Sequence, residues 1–130
     1  MSPDWLKKFL LFYFITDDTA DVSPVQQVMT AVRGGATMVQ YRNKAFTTRA
    51  FSEVKQIRTL CRANGVPFII NDNILLARAV RADGVHLGQD DEAVNAARDI
   101  LGKAALIGVS VSTIEALERT DLTGCDYIGT

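Results

Sequence analysis

The chain is 130 residues long, 48% hydrophobic and 22% charged, with 14 Lys+Arg against 15 Asp+Glu and a formal net charge of -1. This size and composition fit one soluble globular domain and exclude a disordered, collagenous or disulfide-framed chain. The near-even charge balance leaves no broad basic field with which to hold nucleic acid or an anionic membrane.

Ser2-Pro3-Asp4 reads as a helix start, with Ser2 as N-cap and Pro3 at the first helical position. Trp5, Leu6, Phe9 and Leu10 share one face of the short helix that comes next, which suits a lid on the bottom of the fold. The longest apolar run, Phe9 to Ile15, is far short of the roughly 18 residues of a membrane span. Lys7 and Lys8 precede it, but Thr16-Asp17-Asp18 stands where a secretory signal would place a small-residue cleavage site. Phe12 to Ile15 is expected to form a strand buried on both faces. Pro24 opens a helix to about Arg33, ended by Gly34-Gly35, and Ala36 to Tyr41 is the second strand.

Thr47 to Asn64 carries Phe51, Val54, Ile57, Leu60 and Cys61 at helical spacing, with Gly65 as its stop. Val66 to Ile70 is the third strand, with Pro67 near its start, where a missing donor is tolerable. After it come a short helix over Ile74 to Arg81, a strand over Gly84 to Leu87 and a helix over Asp91 to Leu101. Next are a strand over Ala104 to Val109, a helix over Ile114 to Arg119, and Asp126 to Gly129 as the start of a sixth strand. Cys61 and Cys125 stand far apart without CxxC spacing, as expected of two unpaired thiols in a reducing, cytoplasmic compartment.

Strict alternation with apolar strands predicts a parallel sheet with right-handed crossovers and external helices. Three strand entries resemble one another: Gly35-Ala36-Thr37-Met38-Val39, Ala82-Asp83-Gly84-Val85-His86 and Gly124-Cys125-Asp126-Tyr127-Ile128. They fall on the second, fourth and sixth strands, a weak two-unit repeat that suits a (β/α)8 barrel filled by alternate strands. No G-x-G-x-x-G follows the first strand, against a dinucleotide-binding doubly wound sheet. At about 23 residues per unit, eight units need roughly 190–210 residues. Residues 1–130 are therefore expected to be one partial barrel domain, truncated in the sixth strand.

Ligands of such sheets gather at the C-terminal strand ends. Those ends read Gln40-Tyr41-Arg42-Asn43-Lys44, Asn71-Asp72-Asn73, His86-Leu87-Gly88-Gln89-Asp90-Asp91 and Ser110-Val111-Ser112-Thr113. Gln40, Arg42 and Lys44 point one way on an extended segment, and a guanidinium beside an ammonium suits a phosphate between them. Solvated loop charges are the alternative for that cationic pair. Asp72 and Asp91 at neighbouring strand mouths suit Mg²⁺ held with water and a phosphate, or else helix N-caps, a role equally open to Asp17 and Asp90. Asn71 offers an amide to a phosphate. Ser110 offers a hydroxyl, or else caps the next helix. His86, the only histidine, reads as packed core, with no partners for a zinc-type set and no general-base role.

In order and spacing, Val39 to Lys44, Ile69 to Asp72, Ala82 to Asp91 and Ile107 to Ser110 resemble the motifs of the thiamine-phosphate synthase family, over essentially Tyr13 to Ile128. The resemblance implies a (β/α)8 TIM barrel and a cytoplasmic transferase of thiamine biosynthesis. It would join hydroxymethylpyrimidine diphosphate to thiazole phosphate, giving thiamine phosphate and pyrophosphate. Gln40, Tyr41, Arg42, Asn43 and Lys44 would line the pyrimidine diphosphate site, with Arg42 and Lys44 on the diphosphate. Asn71 would contact the same group, Asp72 and Asp91 would hold Mg²⁺, and Ser110 would meet pyrophosphate or pyrimidine. Catalysis would rest on Ser110, Arg42 and Lys44.

Two departures accompany the resemblance. Ser112 stands near the place of a family histidine, and the family continues past Thr130 with a further lysine and the thiazole-phosphate site. The isolated chain is therefore expected to lack synthase turnover and to self-associate through open sheet edges. A thiazole tautomerase or regulatory homologue, and a non-catalytic truncated barrel, are the alternative readings.

Overall fold

The computed structural model describes residues 3–89 and 91–130, with the backbone alone at Asp91 and Glu92. The elements run α1 (Asp4–Phe9), β1 (Tyr13–Ile15), α2 (Pro24–Arg33), β2 (Met38–Tyr41), α3 (Phe51–Ala63), β3 (Phe68–Asn71) and α4 (Ile74–Val80). They continue with β4 (Gly84–Leu87), α5 (Asp91–Leu101), β5 (Leu106–Ser110), α6 (Ile114–Arg119) and β6 (Tyr127–Gly129), and a 3₁₀ turn over Thr48–Ala50 leads into α3. The six strands form one parallel sheet in sequential order, a half-barrel.

Helix boundaries obey local chemistry. Ser23 caps α2 by accepting from the Gln26 N–H, with Pro24 in the first turn. Pro3 precedes α1 as its flanking residue rather than its first helical one, and the expected Ser2 cap lies outside the described residues. The Pro67 carbonyl accepts from Val39 N at 3.0 Å, so this proline serves the ladder as an acceptor just before β3.

Alternation along the strands separates two cores. On the convex face Val39, Tyr41, Phe68, Ile70, Val85, Leu87, Ile107 and Val109 pack against Val28, Val54, Ile57, Cys61, Ala77, Val80, Val94, Ala97 and Ala116 of the helices. Each large side chain so buried contributes about 1.5–3 kcal/mol. On the concave face Met38, Ile69 and Leu106 meet Leu6, with Phe9, Leu10 and Tyr13 around them. Helix α1 therefore acts as the expected lid, although Trp5 stays 53% exposed and Leu6 alone is buried from that helix.

The weak repeat has a structural counterpart just before each even strand. Thr37 N donates to Phe12 O and Thr37 Oγ1 accepts from Phe12 N; Asp83 N donates to Phe68 O and its Oδ2 accepts from Phe68 N. Asp126 does the same with Ile107, at 2.7 and 2.8 Å. Each clamp joins an even strand to its odd predecessor at two points and satisfies a strand N–H. Arg98 reinforces the third clamp, donating to the carbonyls of Gly102, Lys103, Ala105 and Gly124 and pairing with Asp126 at 3.2 Å.

Two strand glycines are places of close approach. A Cβ on Gly84 would overlap the Leu106 carbonyl, and one on Gly108 would overlap the Tyr127 ring. Tyr127 can lie across the concave face only because Gly108 is bare.

Candidate functional site

The C-terminal strand ends carry two concavities. The first, a cleft of about 460 Å³, is lined by Tyr41, Asn43, Lys44, Asn71, Asp72 and Asn73 over the apolar floor of Phe46, Ile70 and Leu76. Asp72 holds a left-handed backbone, φ 61°, which is uncommon for any residue but glycine. Its N–H donates to the His86 carbonyl at 2.8 Å and its Oδ2 accepts from Asn71 Nδ2 at 3.2 Å. The cap of α4 is Asn73, whose Oδ1 accepts from Leu76 N at 2.9 Å. The capping alternative for Asp72 therefore fails, and its exposed carboxylate faces the cleft. Asp17 is no cap either: it accepts from the Thr19 N–H and hydroxyl, which hold its carboxyl below the usual range.

The β2 exit is pinned by the loop after β1. Arg42 N donates to Thr16 Oγ1 at 3.0 Å, and Lys44 N donates to Asp18 Oδ2 at 2.9 Å. The chain leaves the extended conformation after Tyr41, so Gln40 and Lys44 enter different concavities rather than pointing together. Arg42 lines neither; its charge reaches Asp17, whose carboxyl it helps to lower. Tyr41 donates to Glu53 Oε2 and accepts from Asn43 Nδ2, both at 3.0 Å, while Asn43 Oδ1 accepts from Ala45 N. Burial pushes the Tyr41 phenol up to about 12. Tyr41 and Asn43 thus brace the loop that presents Lys44.

The second concavity, about 470 Å³, opens on the concave face and is lined by Tyr13, Gln40, His86, Ser110 and Tyr127, with Ser112 and Thr130 at its mouth. A line of hydrogen bonds crosses it. Gln40 Nε2 donates to Tyr13 OH at 2.9 Å, and Tyr13 OH lies 2.6 Å from Tyr127 OH. Tyr127 OH lies 3.2 Å from His86 Nδ1, and His86 Nε2 lies 2.7 Å from Ser110 Oγ. Five strands contribute, and the tyrosine pair spans the two edge strands β1 and β6. Burial lowers the His86 pKa below 6.5 against a smaller opposing pull from Asp72, and pushes the Tyr13 phenol up to about 12. The ring is therefore neutral near pH 7. Ser110 is not the cap of α6; Thr113 is, accepting from Ala116 N at 2.9 Å.

The structure thus groups Lys44, Asn71 and Asp72 in one cleft, and Gln40 and Ser110 in the other cavity. Backbone register joins the two, since Asn71 pairs with His86. Asp91 opens α5 at the neighbouring strand mouth, but its side chain, like all of Asp90, lies outside the described residues. Sequence reasoning missed Tyr13, Tyr127 and the polar role of His86. Their shared signal is parity: all three, with Gln40 and Ser110, occupy concave-face positions of neighbouring strands.

Known proteins share this architecture. The family model described as thiamine monophosphate synthase matches residues 12–130. A thiamine-phosphate synthase of Natronomonas pharaonis is 44% identical over 120 residues, covering 90% of this chain and 56% of that protein. A probable thiamine biosynthetic bifunctional enzyme of Schizosaccharomyces pombe is 48% identical over 105 residues, covering 80% of this chain and 20% of that one. The solved thiamine phosphate pyrophosphorylase of Pyrococcus furiosus superposes with a TM-score of 0.83 at 36% identity, covering 95% of this chain and 61% of its own. The chain spans little more than half the length of such single-function relatives.

Proposed function

This chain belongs to the thiamine monophosphate synthase family, and from that premise we propose that it supplies the diphosphate-binding side of a thiamine-phosphate synthase. In this reading residues 1–130 are one partial domain of a (β/α)8 barrel. The reaction breaks the bond between the pyrimidine methylene and the diphosphate, the electron pair leaves with pyrophosphate, and the methylene joins the thiazole phosphate. The protein's task is to hold the leaving group in positive surroundings as charge develops on it. Lys44 and Asn71 bind the diphosphate from the cleft, and Arg42, on the same loop as Lys44 but outside the cleft lining, adds positive charge. Tyr41 and Asn43 shape that rim, while Gln40 and Ser110 serve the pyrimidine end.

The donor chemistry of the cleft fits Mg²⁺. Asp72 offers hard carboxylate oxygens that no helix cap consumes, and Mg²⁺ takes one or two carboxylates and completes its shell with water and substrate phosphate. Asp72 would hold the ion together with Asp91. When bound, it would neutralise charge on the departing diphosphate.

The observation that carries the reading is the placement of Lys44, Asn71 and a carboxylate free of capping duty in one cleft. A tautomerase, a regulatory homologue or a non-catalytic barrel has no need of that combination. Unpaired thiols at Cys61 and Cys125 support a reducing, cytoplasmic setting. The reading is tested by assaying thiamine phosphate formation in protein carrying this segment, with Asp72→Ala. Loss of Mg²⁺-dependent turnover with the circular dichroism spectrum unchanged supports it; full turnover at saturating Mg²⁺ removes the metal assignment.

A further inference from the structure

The hydrogen-bond line across the concave face has a direction set by its two ends. Gln40 enters through an amide N–H, so the Tyr13 oxygen accepts. The Tyr13 hydrogen then needs an acceptor, and among the described residues its only other partner is Tyr127 OH. Tyr127, accepting from Tyr13, has one hydrogen to give and, among the described residues, one remaining neighbour, His86 Nδ1. With Nδ1 an acceptor, a neutral imidazole carries its proton on Nε2, which faces Ser110 Oγ at 2.7 Å. The opposite polarity leaves the hydrogen of the part-buried Tyr13 hydroxyl without an acceptor among the described residues, whereas this one pairs every member of the line. The Ser110 hydrogen, not required by His86, is left to point into the open cavity.

We propose that Tyr13 and Tyr127 are positioning residues: the line begun at Gln40 fixes the nitrogen that His86 presents to Ser110, and so makes Ser110 a hydrogen-bond donor toward a ligand acceptor atom. The inference deepens the reading of Ser110 as a ligand-facing group and rests on it. It also gives purpose to two bare strand positions, since side chains at Gly108 and Gly129 would crowd Tyr127 and His86 respectively.

His86 is the only histidine, so ¹⁵N-histidine labelling of the whole chain yields one imidazole without assignment. At neutral pH and without ligand, the expected spectrum is the Nε2–H tautomer with Nδ1 displaced toward the hydrogen-bonded acceptor range. Tyr127→Phe keeps the ring against Gly108 and removes only the hydroxyl, so Nδ1 is expected to move to the free-acceptor limit. A purely packing role for Tyr127 would not move it. Gln40→Glu replaces the entering donor with an acceptor, reverses the line, and is expected to transfer the proton to Nδ1. Ser110→Ala is expected to leave the tautomer as it is.

An Nδ1–H tautomer in the unsubstituted chain overturns the proposal, as does an unmoved Nδ1 resonance in Tyr127→Phe or an unreversed tautomer in folded Gln40→Glu. If Gln40→Glu does not fold, the first two spectra still decide. None of these spectra needs ligand, so failure here leaves the diphosphate reading standing. Failure of diphosphate binding would in turn leave the tautomer result intact.

Discussion

In the proposed site Asp72 combines two demands that pull in different directions. Its left-handed backbone is a conformation that favours glycine, and such strain persists where a site needs a particular side chain. Asp72→Gly is therefore expected to leave stability unchanged or raise it by up to about 1 kcal/mol, while removing Mg²⁺-dependent diphosphate binding. Urea denaturation and calorimetry on the same preparation check both halves, and a marked loss of stability would show that the carboxylate is structural. His86 makes a pH prediction whose sign is set by burial. Its folded pKa lies below 6.5, so the folded state binds fewer protons than the unfolded one. The associated stability is complete above the unfolded value and is lost as pH falls through the folded one. Urea midpoints should thus drop as pH falls below the unfolded value of about 6.5, and less so in His86→Gln. A folded pKa at or above 6.5 in the histidine titration would contradict this. The capping duties of Asn73 and Thr113 were open in the sequence, because an Asp or Ser just upstream caps equally well on composition alone. Only backbone geometry separates the cap from the residue left over for chemistry.

At the scale of elements, alternation of strands and helices was legible because buried parallel strands read as apolar runs and helices as periodic ones. Strand β1 is the exception, an edge strand with Ile15 and the preceding Phe12 exposed rather than a strand buried on both faces. Helices α2, α5 and α6 and strand β4 fall where the sequence placed them. Strand β5 starts two residues later than expected, at Leu106, and runs one residue further, to Ser110, where β6 extends the ladder. The strand-entry repeat was visible as a likeness, but its cause, a two-point clamp, was not, since it pairs residues far apart in the chain. The clamps are unequal. Asp83 offers a charged acceptor to a buried Phe68, whereas Thr37 offers a neutral hydroxyl to a half-exposed Phe12. Asp83→Ala is expected to cost about 1–3 kcal/mol and Thr37→Ala about 1 kcal/mol or less. Equal losses in chemical denaturation would remove the distinction. Gly108→Ala, which forces the Tyr127 ring aside, is expected to cost about 1–3 kcal/mol by overpacking.

For the whole molecule, the sheet presents β1 and β6 as its two edges, with Leu11, Phe12, Ile15 and Ile128 exposed nearby. Such edges favour self-association, which sedimentation velocity across a concentration series would reveal as a rising average mass. A constant monomer mass would contradict that expectation. The sequence concentrated the candidate residues on one rim, and the folded chain divides that rim into a cleft with Lys44, Asn71 and Asp72 and a cavity with Gln40, His86 and Ser110. That division was not legible, because it depends on where the chain after Tyr41 leaves the extended state. The proposed function stands or falls on whether the cleft binds diphosphate through Mg²⁺, and isothermal titration of the chain with pyrophosphate tests this most directly. Binding is predicted to require Mg²⁺, to be lost in Asp72→Ala, and to weaken about tenfold to a hundredfold in Lys44→Ala, as expected for one charge-assisted hydrogen bond. Binding that proceeds without Mg²⁺, or that survives unchanged in Asp72→Ala, would contradict it.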